Sequence, residues 1–486
     1  MRIRATLAGM AAAAALAVLP GCREPASGPL TVSAIGGAAE MVNPNLEPLD
    51  PPRAFLIDAA AQGLVRFDAA GEIEPGLARS WIVSDDGLRY TFRIHRTRWA
   101  NGERVTAEQV VQRLRAAMSP ASRNPLKPML GMIDEIVAMT DEVLEISLVG
   151  PRPHFLQLLA QPELAIVRGG VGTGPYRVER LEDGAVSLTP VPIGEEEEDP
   201  EAGEPGIVLR GERAGRAIAR FAAGGADLVT GGTAGDLPLV RAANLPAAAL
   251  QFDPAAGLFG LAFTRAPGPA ASVEVRRALA MAIDRDALVT SLGVRGLQPR
   301  LTLLPPGAED FPQPAELEWA AQPMAMRREL AARAVAAEAG EAPLPVRVAM
   351  PEGPGYRMIF AYLRRDWRAI GVEAERVAPG ATADIVFLDA VAPVALASWY
   401  LRNFTCDRPF LCLPEADARL DEARAMRDPQ ERRALFAEAD RLMADEVLYI
   451  AIAAPVRWSL ASARITGFRA NPFARHGAIE LVQEAQ

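Results

Sequence analysis

Residues 63–111, GLVRFDAAGEIEPGLARSWIVSDDGLRYTFRIHRTRWANGERVTAEQVV, decide how the rest of the chain is read. Leu88, Tyr90, Phe92 and Ile94 alternate with Arg89, Thr91, Arg93 and His95, the period of two that marks a strand with one buried face. Ser84-Asp85-Asp86-Gly87 just ahead are turn formers, because Asp and Gly tolerate the left-handed backbone of a tight turn. Asn101-Gly102 marks a second turn. Thr106 then stands where a helix cap belongs, with Gln109 three residues on to complete a capping box and Val110, Val111 and Leu114 on the apolar side. Taken alone, the stretch is a hairpin and a helix of an α/β protein.

Upstream, residues 1–21 read as a leader. Arg2 and Arg4 precede an apolar run from Ala5 to Leu19 that is too short and too alanine-rich for a stable membrane span. Leu19-Pro20-Gly21-Cys22 is similar to a bacterial lipobox, which predicts lipidation at Cys22; with Pro20 in that position, plain signal cleavage is the alternative. Residues 22–29 would form a Pro/Ser/Gly tether. The rest of the chain has no apolar run long enough to cross a bilayer, so attachment to a membrane is expected through the lipid only.

Composition excludes several classes of function. The chain of 486 residues is long enough for two or three domains and carries a net charge of −10. Of its 51 Lys and Arg residues only Lys127 is a lysine, and no basic cluster stands out, which argues against nucleic acid as a partner. His95, His154 and His476 are scattered, so neither a zinc-hydrolase motif nor a metal site is expected, and no cofactor. Glu195 to Asp199 is an acidic run without the spacing of a calcium loop. No G-x-S-x-G elbow is present and Lys127 lacks the Ser of a Ser-x-x-Lys motif. Binding without catalysis is the better class. Cys406 and Cys412 are the cysteines beyond Cys22, and in an exported protein such a pair most simply forms a disulfide.

The order of the pieces is more specific than any one of them. GLVRFD, EPGLARSW, SDDGLRYTFRI and W-x-NG-x-x-VTAEQVV resemble the signature of family 5 extracytoplasmic solute-binding proteins, the dipeptide, oligopeptide and nickel receptors of ABC importers. The resemblance continues in order through GTGPYRV at 172–178, VRRALAMAIDR at 275–285 and LCLPEAD at 411–417. It implies an α/β, two-lobed periplasmic-binding-protein fold with an extra α/β domain inserted in the first lobe. The implied division is lobe one at 30–54, 171–255 and 452–486, the inserted domain at 55–170, and lobe two at 256–451. The helix expected over 275–288 carries no ligand role, and Ile465–Phe468 is expected as a closing strand.

The same resemblance implies a monomer that closes on a peptide or peptide-like solute and delivers it to permease and ATPase subunits. An exported hydrolase using the same cleft, or a sensing receptor without transport, are the alternatives. In the family an Asp of a DPD-like segment holds the peptide amine. The matching segment is Asp389-Ala390-Val391-Ala392-Pro393, in which Asp389 is kept and the aspartates expected around Pro393 are missing. A buried ammonium without a carboxylate is costly, which leaves modified-peptide, opine-like or sugar-derived solutes open beside free peptides. Trp399, Tyr400 and Arg402 are candidate cleft-liners, as aromatic faces and a guanidinium suit small polar ligands, although each aromatic also fits a core position. Gly37, in a Gly-Gly turn after the first strand, is a further candidate.

Overall fold

The computed structural model describes residues 28–99, 102–191, 206–307, 311–340 and 342–482. The leader, Cys22, most of the tether, Asn101 and the acidic run at 195–199 lie outside the described residues.

Three sheets organise the chain. A seven-stranded sheet runs in the spatial order Leu250–Asp253, Arg457–Ala461, Leu228–Thr233, Leu30–Ile35, Ile207–Glu212, Val186–Pro190, Tyr176–Arg180. Its centre is parallel, with Leu30–Ile35 paired to Ile207–Glu212 on one side and to Leu228–Thr233 on the other. A five-stranded sheet orders Val372–Val377, Leu344–Ala349, Ile385–Val391, Gly257–Phe263, Tyr449–Ala451. Gly257–Phe263 is buried at every residue, as a central strand covered on both faces must be, and it pairs antiparallel with Ile385–Val391 so that Phe259 stands opposite Asp389. The chain passes between these two sheets at residues 254–256 and again at 452–456.

The stretch at 63–111 supplies much of the third sheet. Ala78–Val83, Arg89–Ile94, Val143–Leu148 and Ile133–Ala138 form it in that order, all antiparallel. Tyr90, Phe92 and Ile94 are buried while Arg89 and Arg93 are exposed, so the alternation in sequence becomes two faces. The helix Ala107–Met118 has its capping box: Thr106 accepts from the Gln109 backbone N–H at 3.4 Å, and the Gln109 side chain accepts from Thr106 N–H at 3.2 Å. Its Val110, Val111 and Leu114 close the core over the sheet.

The structure differs from the sequence reading in three places. The helix expected over 275–288 is two, Val273–Ala282 and Arg285–Leu292, because Asp284 accepts from Ala287 N–H and caps a new start. Ile465–Phe468 is not a strand; the last strand is Arg457–Ala461. The helix Pro51–Ala60 spans the boundary expected at residue 55, and its Phe55, Leu56 and Ala59 pack on the seven-stranded sheet rather than with the core of the four-stranded one.

The two larger sheets share one apolar cluster at their junction, where Tyr356 and Trp458 are among the largest members. The helix Pro354–Arg368 meets the backbone there so closely that a Cβ on Gly355 would run into the Ala234 carbonyl. Only glycine permits that approach.

Candidate functional site

A cavity of about 600 Å³ lies where the three sheets converge. One wall comes from the helix Pro51–Ala60, through Phe55 and Asp58, and from the strand Leu228–Thr233. A second comes from the four-stranded region, through Leu126, Met129 and Glu163. The third is built by Ala390–Pro393, at the end of the strand Ile385–Val391, and by Trp399 and Arg402 of the helix Ala397–Arg402. Strand ends of open α/β sheets are where ligands commonly lie. A second, more open hollow of about 790 Å³ is lined mainly by 252–255, 294–302 and 454–457 and draws on no residue of the four-stranded region, so the three-walled cavity is the better candidate.

The walls touch one another. Gln161 Nε2 donates to the Pro393 carbonyl at 2.5 Å, and Arg152 Nη2 donates to the Arg424 carbonyl at 3.1 Å. Val394 is fully buried in the core of the four-stranded region, with Leu396 and Trp399 packed against it. The residues just after Pro393 therefore plug the third wall into the second.

The residues singled out from sequence divide sharply. Trp399 and Arg402 line the cavity. Arg402 is anchored there: Nη2 donates to the Leu420 carbonyl at 2.7 Å, and Nη1 stands 3.6 Å from Asp421. Burial, then Arg424, lowers its pKa. Tyr400 is not a liner. One residue along the helix turns its ring inward, where it is 1% exposed and meets Phe311 edge to face at 5.6 Å. Gly37 is not a liner either; its N–H donates to Asp50 Oδ2 at 2.7 Å, bracing the loop against the cap of the helix Pro51–Ala60.

Asp389 sits behind the wall. Its side chain is 4% exposed, Oδ1 accepts from Arg457 Nη1 at 2.7 Å, and Oδ2 accepts from the Tyr356 hydroxyl at 2.5 Å. Arg457 Nη2 also donates to the Asp389 carbonyl at 3.2 Å. Burial draws the Arg457 pKa down, but Asp389 more than offsets this and leaves it raised. Burial and then Asp389 push the Tyr356 hydroxyl up strongly, so it stays protonated and donating. Because Arg457 belongs to the seven-stranded sheet and Asp389 to the five-stranded one, the pair clamps one sheet to the other.

Sequence reasoning missed the carboxylates of the opposite wall. Asp58 opens onto the cavity and has no hydrogen-bond or ion-pair partner among the described residues. Burial pushes its pKa up to about 6, against the pull of Arg66 and Arg475. Glu480 lies beside it, pushed up to about 7 by burial and then by Asp58. A Cβ on Gly477 would collide with both carboxylates, so they share the space a single methyl would need. Glu163, 9% exposed, accepts from Arg475 Nη2 at 2.9 Å through Oε1, while its Oε2 is buried without a hydrogen-bond partner. His476, noted in sequence only as one of three scattered histidines, pairs with Asp253 at 3.2 Å. The one signal available was that Arg475, His476 and Gly477 are consecutive; nothing local tied them to Asp58.

Cys406 and Cys412 are joined in a disulfide on the loop after the Trp399 helix. Among the described residues no group of three or more His, Cys, Asp or Glu side chains is placed to hold a metal ion, and no helix is long and apolar enough to cross a membrane.

Known proteins give this architecture its context. The nickel-binding periplasmic protein of Escherichia coli strain K12 is 27% identical over 270 residues, 51% of this chain and 50% of that one. The periplasmic oligopeptide-binding protein OppA of the same organism is 23% identical over 458 residues, 82% of this chain and 83% of its own. The chain spans about half the length of several of the curated relatives it matches. The crystal structure of Haemophilus influenzae OppA in complex with the peptide RPPGFSPFR superposes with a TM-score of 0.80 at 18% identity, covering 93% of this chain and 98% of that one. The complex of the binding protein AgaA from A. tumefaciens R10 with agropinic acid has a TM-score of 0.73 at 19% identity, over 92% of this chain and 96% of that one. The fold is thus that of the two-lobed periplasmic binding proteins. The family model for the middle part of the bacterial extracellular solute-binding proteins, family 5, matches residues 72–404, well over half of the chain, and the chain belongs to that family.

Proposed function

We propose that the protein is the solute-capturing component of an ABC importer, taking a peptide or peptide-like small molecule into the three-walled cavity and delivering it, closed, to an inner-membrane permease driven by an ATPase. The observation that carries this reading is a cavity walled by two sheets that the chain joins only through 254–256 and 452–456. Relatives and structural neighbours that bind peptides, nickel and agropinic acid support it. In this reading the seven-stranded sheet with its covering helices is lobe one, the four-stranded region is the insertion, and the five-stranded sheet is lobe two. The protein works as a monomer in the periplasm, held to the membrane by a lipid on Cys22. Catalysis has no part in it.

Solute touching both lobes stabilises the closed state over the open one, and only that difference in affinity moves the equilibrium. The test is small-angle scattering of the purified protein with and without the solute that co-purifies from its own cells, identified by mass spectrometry. A smaller radius of gyration with solute is expected; an unchanged profile at saturation, or robust turnover of the solute, sinks the reading. Replacing Cys22 by Ala is expected to release the protein from membranes without changing solute affinity.

A further inference from the structure

Asp58 and Asp68 line the cavity, and Asp68 Oδ1 already accepts from the Ala70 and Glu72 N–H groups, while Asp389 lies behind the wall. Asp389 is held by Arg457 and Tyr356 and is shut off behind Ala390–Pro393. Asp58 is the reverse: it faces the cavity, as Glu163 does from another wall, is crowded by Glu480, and has no hydrogen-bond or ion-pair partner among the described residues. We infer that Asp58, backed by Glu163 and Glu480, is a cation subsite that takes an ammonium or guanidinium group of the solute.

The surroundings fit a cation better than any other group. Facing Asp58 are Arg66 from the ribbon strand Val65–Phe67, Glu74 from its partner strand, Arg475 from the C-terminal loop and Glu480 beyond Gly477. Arg66 is engaged by Glu74 at 2.6 Å, and Arg475 by Glu163 at 2.9 Å. Four carboxylates, Asp58, Glu74, Glu163 and Glu480, thus stand against two guanidiniums; Arg66 also lies 3.8 Å from Glu480, and its Nη1, one Glu163 oxygen and one Glu480 oxygen are buried without a hydrogen-bond partner. A buried carboxylate in that state either holds a proton or waits for a cation. Phe67 and Phe473, stacked at 4.5 Å, form an apolar surface beside the acids on which the carbon skeleton of a cationic solute rests. The opposite wall supplies Arg402, which suits an anionic or polar group at the other end of the same molecule.

Burial and the neighbouring Glu480 hold the Asp58 carboxyl partly protonated near pH 6, so a cation that settles on it displaces a proton and binding releases protons there. The inference rests on the cavity being the solute cleft, and the test separates the two. The full chain is titrated calorimetrically at pH 6 with trialanine, N-acetyl-trialanine and agmatine, in two buffers of different ionisation heat, with scattering run in parallel. Binding of trialanine or agmatine with proton release, and roughly tenfold or greater weakening on acetylation, is expected; the Asp58→Asn variant, checked for an unchanged melting profile, removes the preference for the free amine. Equal binding of acetylated and free peptide, retention of the preference in D58N, or failure of both cationic probes to bind overturns the subsite. If the acetylated peptide alone binds and closes the protein, the receptor reading stands and the subsite falls. If a cationic probe binds with proton release but without closure, the subsite stands and the receptor reading falls.

Discussion

Asp389 and Asp58 stand on opposite sides of one cavity, and their fates are opposite. The Asp389 side chain is 4% exposed, carries a guanidinium on one oxygen and a phenol on the other, and ties two sheets together. Asp58 is in reach of the cavity, has no such partner, and crowds a second carboxylate. The same side chain is a structural tie in one place and a site for an outside cation in the other. Partner count, not residue type, decides between them. A carboxylate whose lone pairs are already filled by its own protein has nothing left for a solute, whereas one that faces other carboxylates is stabilised by whatever positive charge arrives.

Removing the tie tests the contrast most severely. Replacing Arg457 by Leu strands Asp389 in the interior, and a loss of about 3–5 kcal/mol in urea unfolding is expected. Adding Asp389→Asn to that variant should restore a large part of the loss, and the double-mutant cycle measures the coupling; independent effects at the two positions would break the comparison. Gly355→Ala comes next. The new methyl meets the Ala234 carbonyl and pushes the helix that carries Tyr356 away from Asp389, with an expected cost of about 1–3 kcal/mol.

On the other side the signs reverse. Asp58 and Glu480 have pKa values raised to about 6 and about 7, so their contribution is fully present below the ordinary carboxylate range and is lost as pH rises through those values. Glu480→Gln removes the repulsion, and melting curves should show a gain on the order of 1 kcal/mol at pH 8 that shrinks towards pH 5. A gain of equal size at both pH values would show that the pair does not share its proton. Asp58→Asn relieves the same crowding and is expected to stabilise by no more than about 1 kcal/mol at pH 8, while its larger effect appears in solute binding. A loss as large as that of Arg457→Leu would make Asp58 a structural tie as well.

Much of the fold was legible in the chain. The alternation at 88–95, the box at Thr106 and Gln109, and the first strand at 30–35 rest on neighbours in sequence, and the structure forms all three. The break between Ala282 and Arg285 was written in Asp284, whose side chain caps the second helix, but an apolar stripe running through 275–288 concealed it. The site was much less legible. Trp399 and Tyr400 are adjacent and chemically alike, yet a helix turns successive residues about 100° apart, so one lines the cavity and the other fills the core. Asp389 looked available because Arg457, its partner, comes 68 residues later and from another sheet.

By itself the sequence determined the local elements and their order, since helix caps, turn residues and strand periods act over a few residues. Tertiary structure alone decided which charges meet. Asp58 comes beside Glu480, and Glu163 beside Arg475, across separations of several hundred residues, only because the end of the chain returns to the sheet its beginning started. Charges act through space over a few ångströms of low-dielectric interior, and no sequence window contains that distance.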